Sequence, residues 1–222
     1  MGRPKRIAKG DIVYHALNRA NGRLRIFKKR QDFEAFESIL AEGIERYRMR
    51  LCGYCIMGTH WHLVLWPRAD GDLSHFMRWV TVTHTQRWHA AHGASGIGHL
   101  YQGRFKSFPV QDDWRYLSLL RYVEANPLRA GLVERAEAWP WSSLAIRCGA
   151  RKEIALGPGP TRLPDDWLHH VRTAVEPAEQ EAIASCIRRG CPYGSSPWVA
   201  QTVRLLGLQS TVRPRGRPKK DS

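Results

Sequence analysis

Apolar residues along the chain follow two spacings, and their alternation predicts the order of elements. Ile12-Val13-Tyr14-His15-Ala16-Leu17-Asn18 reads as a first strand, closed by the turn signal Asn21-Gly22. Phe33, Phe36, Ile39, Leu40, Ile44 and Tyr47 then form a helical stripe within 31–48. The apolar, β-branched run from Leu51 to Trp66, broken by Gly58-Thr59, predicts two short strands around a turn. A second helix is expected from Leu73 to about Ala91, with Phe76, Met77, Val80 and Trp88 turned inward, followed by a glycine-rich loop over 93–98. Residues 103–110 alternate basic or small with aromatic, as in a strand with one wet face. Asp112-Asp113-Trp114 opens a third helix with acids at its positive end; it carries Leu117, Leu120, Tyr122 and Val123 and stops near Asn126-Pro127.

The order strand, helix, strand, strand, helix, strand, helix predicts an α+β fold, an antiparallel sheet covered on one face by helices. Residues 1–148 read as the main domain. The breaker cluster Gly157-Pro158-Gly159-Pro160 marks 149–175 as an irregular link. A small helical segment is expected over 176–209 and a basic tail over 210–222. Neither internal repeats nor coiled-coil heptads are present.

Charge changes the picture more than size does. The 222-residue chain is 43% hydrophobic, enough for a core, but carries 35 Lys+Arg against 20 Asp+Glu, a formal net charge of +15. That surplus points to a polyanionic partner, with nucleic acid the commonest. No apolar run approaches the ~18 residues that span a bilayer, so no membrane partner is expected. The first residues lack a signal-peptide apolar stretch, which predicts a cytoplasmic, nucleoid-associated protein. Five cysteines argue against a disulfide framework. Cys52 and Cys55, on opposite faces of a regular strand, read as buried structural thiols.

His60-Trp61-His62 is the main chemical signal. On a strand both imidazoles point the same way, about 6–7 Å apart, and can grip one divalent cation. Taken alone, such a pair more often only satisfies local hydrogen bonds, so the triplet needs a partner. Tyr122 and Asn126, spaced i and i+4, would project from one helical face. Asn126 could add an oxygen ligand, and two imidazoles plus one oxygen suit Mg²⁺ or Mn²⁺ with positions left open. Tyr122 would then be the nucleophile, its phenol (ordinary pKa ~10) needing proton removal or a nearby cation. The alternatives are a core tyrosine at 122, or Tyr116 as nucleophile, although Tyr116 has Leu120 rather than a polar group one turn on.

Several segments together resemble a known family. Thr59-His60-Trp61-His62-Leu63-Val64-Leu65, Tyr101-Gln102-Gly103-Arg104-Phe105-Lys106-Ser107 and Tyr122-Val123-Glu124-Ala125-Asn126-Pro127-Leu128-Arg129 are similar to single-tyrosine HUH transposases, nearest the REP-associated tyrosine transposases. Tyr14-His15-Ala16-Leu17-Asn18-Arg19 and Trp139-Pro140-Trp141-Ser142-Ser143 fit the same branch, and the resemblance spans about 5–145. It implies a ferredoxin-like HUH nuclease core, metal binding by His60 and His62 with Asn126 as third ligand, and a 5′-phosphotyrosine bond from Tyr122 to single-stranded DNA. Hairpin-forming REP-like elements would be the DNA partner, for a monomer or a homodimer. Phosphate contacts are expected from Arg19, Arg23, Arg25, Arg104 and Lys106. Arg215 and Arg217, in an Arg-Gly-Arg-Pro stretch, resemble an AT-hook, which enters the narrow minor groove of A·T-rich duplex. Trp61, Trp66, Trp79, Trp88 and Trp114 offer stacking surfaces or, alternatively, core. The rival readings are a non-catalytic DNA-binding protein, a relaxase or replication initiator, and a metallohydrolase that uses water directly.

Overall fold

The computed structural model describes residues 7–94, 96, 98–151, 154–173 and 175–213. Four strands, β1 (Val13–Arg19), β2 (Arg50–Met57), β3 (His60–Trp66) and β4 (Lys106–Val110), form one antiparallel sheet in the order β2-β3-β1-β4. Helix α1 (Arg30–Tyr47) begins where the Asp32 carboxylate accepts from the backbone N–H groups of Lys28 and Lys29 at 2.8 and 2.9 Å. It ends at Arg48 in the left-handed conformation (φ 48°). Helix α2 (Asp72–Ala91) follows β3, and α3 (Trp114–Glu124) follows β4, its first turn capped by Asp113.

The α+β class and antiparallel sheet are as expected, but the helices cover both sheet faces rather than one. Along β3 the side chains divide strictly. Trp61, Leu63 and Leu65 enter a core with Phe36, Phe76 and Val80 of α1 and α2. Val64 enters a second core with Leu119, Leu120 and Val123 of α3. The second layer escaped the sequence reading because its other members lie beyond residue 148. Helices α6 (Trp167–Arg172) and α7 (Pro177–Arg189) bury Trp167, Val171, Ile183 and Cys186 in the α3-side core. The stretch 149–175, expected as an irregular link, therefore carries α6. Helices α4 (Asn126–Arg129), α5 (Ser143–Arg147), α8 (Ser196–Leu206) and α9 (Gln209–Val212) complete the described α-helices. None of the described helices is long and apolar enough to cross a membrane.

Strand β2 corrects the reading of its two cysteines. A bulge shifts the register between Leu51 and Gly53, so Cys52 and Cys55 enter the same, α3-side core. Both are buried free thiols. The bulge also explains Gly53: a Cβ there would lie 2.3 Å from Cδ1 of Leu120, so only glycine lets α3 sit this close to β2.

Behind β3, a polar chain is sealed into the α1–α2 core. Trp61 Nε1 donates to the Tyr101 hydroxyl at 2.9 Å, and that hydroxyl reaches Nδ1 of His84 at 2.6 Å. His84 stacks on Phe27 with ring centroids 5.3 Å apart, and burial pushes its pKa down to about 3. Its unfolded value is near 6.5, so its stabilising contribution is complete above that pH and lost progressively as the pH falls below it. Between pH 6.5 and 5 the unfolding free energy should fall by roughly 2 kcal/mol through His84 alone. Urea titrations across that range check this. In His84→Gln, whose amide oxygen still accepts from Tyr101, that share of the pH dependence should vanish.

Candidate active site

The β1–β3 register decides what surrounds the histidine pair. Arg19 lies opposite His60 and Leu17 opposite His62, so Arg19, His60, His62 and His15 share the sheet face that carries α3. The rings of His60 and His62 are 5.1 Å apart between centroids and nearly perpendicular, at 79°. Trp61 points to the other face, fully buried against Phe36. The turn Gly58-Thr59 sets this alternation, and the guanidinium of Arg25 lies over it, with Nε 3.4 Å from where a Gly58 Cβ would be.

Each imidazole has one nitrogen held and one uncommitted. His60 Nδ1 bonds to Thr59 Oγ1 at 3.0 Å, and His62 Nδ1 to His15 Nε2 at 2.9 Å. Neither Nε2 has a hydrogen-bond partner among the described residues. Burial, reinforced by the Arg19 charge, lowers the His60 pKa to about 4. Burial also lowers that of His62 well below its ordinary value, helped by His15, His60, Arg129 and Arg19, and burial takes His15 to about 3. All three rings are therefore neutral near pH 7, the form that ligates metal.

Tyr122, in the last turn of α3, meets His62 edge to face, with centroids 6.4 Å apart and planes at 79°. Arg129 lies over the phenol ring, its guanidinium 3.9 Å from the ring centroid and donating to the Tyr122 carbonyl at 2.7 Å. Asn126 does not continue α3. The helix ends at Glu124, and Asn126 opens the short α4 beyond Ala125. Its carboxamide bonds to no described residue and to neither imidazole. The structure thus brings together His60, His62 and Tyr122, and leaves Asn126 just beyond the end of α3, at the start of α4, with no side-chain hydrogen bond to a described residue. Tyr116 is buried on the opposite end of α3, beneath Gly159, and burial raises its pKa strongly.

Between Tyr122 and Asn126 stands Glu124, fully buried. Its Oε1 accepts from Ser143 Oγ at 2.5 Å and from Arg147 Nε at 3.0 Å, and its Oε2 from Trp167 Nε1 at 2.7 Å. Sequence reading passed over His15, Arg129 and Glu124. His15 could have been found as a polar residue in a strand otherwise destined for core, and Arg129 by its spacing of seven from Tyr122, two turns on. Glu124 left only the weaker signal of an acid on a helix face that is otherwise apolar.

Among the described residues no three His, Cys, Asp or Glu converge into a metal-ligand set. The imidazole pair, neutral and with both Nε2 atoms uncommitted, is the part of the chain whose donor chemistry fits a divalent cation. Of the expected phosphate contacts, Arg19, Arg23, Arg25, Arg104 and Lys106 are all exposed. Lys106 pairs with Leu17 in register and so lies on the histidine face, whereas Arg104 sits in the loop before β4 rather than on the strand. Arg215 and Arg217 lie outside the described residues. Of the tryptophans, Trp114 stays 56% exposed, with the Arg115 guanidinium 4.4 Å from its ring centroid.

Residues 8–126, more than half of the chain, match the profile of the IS200-like transposases, and the chain belongs to that family. Within it, the chain is similar to the REP-associated tyrosine transposase of Escherichia coli (strain K12), with 25% identity over 118 residues, 53% of this chain and 62% of that one. The chain thus spans about three-fifths of that relative's length. Among solved structures, that of a REP-associated tyrosine transposase bound to a REP hairpin superposes with a TM-score of 0.54 at 18% identity, covering 71% of this chain and 93% of that one. That likeness bears on the fold alone: the sheet and its packed helices follow the same arrangement.

Removing the Glu124 carboxylate should be costly. Glu124→Ala leaves the Arg147 charge without its carboxylate and the buried Trp167 Nε1 without an acceptor, and should lower stability by about 3–5 kcal/mol. Glu124→Gln, which keeps the shape and an acceptor, should lose less. Urea denaturation measures both.

Proposed function

We propose that this chain is a metal-dependent endonuclease and strand-transferase acting on single-stranded DNA at hairpin-forming elements, with Tyr122 as nucleophile. The observation that carries the reading is the edge-to-face placement of Tyr122 on His62, beside two neutral imidazoles with uncommitted Nε2 atoms. Family membership supports it, as does the hairpin bound by the structural relative.

His60 and His62 would hold the divalent cation, Mg²⁺ or Mn²⁺, with the Asn126 carboxamide as oxygen donor. Once bound, the cation supplies Lewis-acid stabilisation of charge on the scissile phosphate. For His62 to offer Nε2 as a lone pair, its proton must sit on Nδ1 and be donated to Nε2 of His15. That arrangement costs a buried N–H at His15 Nδ1, an atom with no hydrogen-bond partner. Arg129 lies over the phenol ring, where its guanidinium is attracted to the π face and helps hold the ring in place. Attack by Tyr122 Oη makes a bond to phosphorus and breaks the bond to the 3′ oxygen. The phenolic proton is transferred, on balance, to that leaving oxygen. The result is a 5′-phosphotyrosine and a free 3′-hydroxyl; a second 3′-hydroxyl reverses the step and joins a strand. Arg19 and Lys106, on the same sheet face, would hold the flanking phosphates, and the basic ends of the chain, including Arg215 and Arg217, would add affinity for duplex DNA.

A hairpin-bearing oligonucleotide with an unpaired flank, incubated with Mn²⁺ and run on a denaturing gel, tests the reading. A covalent 5′ adduct should form with wild type, disappear with EDTA and be absent in Tyr122→Phe. His60→Ala and His62→Ala should reduce cleavage at least about 100-fold, on the scale of a lost catalytic group, while leaving DNA affinity within a few-fold. Cleavage without an adduct would indicate direct attack by water, and binding without cleavage a purely DNA-binding role; either outcome overturns the proposal.

A further inference from the structure

A groove of about 640 Å³ opens beside the β1–β4 end of the sheet, and its two walls come from different parts of the chain. One wall carries Arg19, Arg104 and Lys106; the other is the C-terminal end of α7, with Arg188, Arg189 and Gly190. No Asp or Glu lines it. Helix α7 lies entirely beyond the stretch 8–126 that defines the family.

The α7 wall is fixed rather than loosely attached. Gly190, at φ 74°, ends the helix, and the chain then runs beside β4. There the Tyr193 N–H donates to the Pro109 carbonyl and the Gln111 N–H to the Tyr193 carbonyl, both at 2.9 Å. Arg189 Nε donates to the Thr211 carbonyl at 2.7 Å, and its Nη2 to the Arg213 carbonyl. These acceptors are neutral, so they orient the guanidinium without cancelling its charge. Arg188 is paired with Glu181, which offsets its charge in part. On the facing wall, Arg19, Arg104 and Lys106 form no ion pair among the described residues. Arg19, which lines the groove, stands opposite His60 in register, so one end of the groove adjoins the histidine pair.

Five cations facing one another across a narrow cleft, without an acid between them, suit a polyanionic strand neutralised from both sides. A cleft of about 640 Å³ has room for the sugar–phosphate backbone of one strand between its two walls. We infer that the groove is the track along which the phosphate backbone of an unpaired DNA strand approaches the histidine pair. Arg188 and Arg189 form its second wall. The inference rests on the DNA-processing reading above and adds a part of the interface that the family stretch does not contain.

Salt-dependent binding tests this separately from cleavage. Fluorescence anisotropy with a labelled, unstructured oligo-dT would be measured over a range of NaCl concentrations. On single strands each neutralised phosphate contributes about 0.7 to the slope of log K against log salt. Arg188→Ala/Arg189→Ala should therefore flatten the slope by about 1.4 and weaken binding at low salt. The exposed single variant Arg188→Glu, which leaves the Arg189 anchor intact, should also weaken it, and Arg188→Lys should not. Arg204→Ala, on the exposed face of α8, should leave the slope unchanged. An unaltered slope in the double variant with a wild-type circular dichroism spectrum overturns the inference, as does an equal loss for Arg204→Ala or for a blunt duplex of the same length. If the slope is unaltered while the Tyr122 adduct persists, only the groove assignment fails. If the slope falls but wild type yields no adduct, the groove stands and the nuclease reading fails.

Discussion

The carboxylate of Glu124 is the constraint on which the α3 side of this protein depends. A charge taken wholly out of water costs several kcal/mol unless it is surrounded by donors. Here the donors come from three places: the start and end of α5, through Ser143 and Arg147, and α6, through Trp167. Arg147 in turn donates to the Cys52 carbonyl at 2.5 Å, and Ser143 bonds to the backbone of Tyr54, so the network is stitched to β2. The last turn of α3 can therefore settle only when α5, α6 and β2 are in place. Tyr122 and Asn126 sit two residues to either side of this anchor. Their position is a product of the tertiary structure rather than of one helix's geometry.

A second constraint is electrostatic. The chain is strongly basic, yet the centre of the candidate site is uncharged: three imidazoles are kept neutral by burial, with Arg19 and Arg129 at its edges. Cations nearby make protonation of these rings still less favourable, so the surplus charge and the neutrality of the histidines reinforce each other. The result is a set of nitrogen lone pairs surrounded by groups that attract phosphate.

The strands, the first two long helices and the histidine alternation were legible because each depends on a local period. Trp61, Leu63 and Leu65 against His60, His62 and Val64 can be read from six residues. What was not legible depends on distant partners. The bulge at Gly53 reverses the facing of Cys52, and its reason is Leu120, far along the chain. The second helical layer rests on Trp167, Val171 and Ile183, which follow a proline- and glycine-rich stretch and look peripheral in sequence. Likewise the i, i+4 relation of Tyr122 and Asn126 presumed a continuous helix, whereas Ala125 separates α3 from α4. His15 was hidden by its setting in a plain strand; its role appears only when β1 is laid against β3.

The alternation in β3 also acts during assembly of the fold. Met57 and His60 are paired across a two-residue turn, so a slip of one residue would turn every side chain of the strand over. Two imidazoles would then be driven among Phe36, Phe76 and Val80, and the Trp61 indole would be turned to the α3 side, away from its contact with Phe36. Such a chain could close neither core. The strand that presents the histidines thus proofreads its own pairing, and molecules that reach the compact state arrive with both rings on the side of Tyr122.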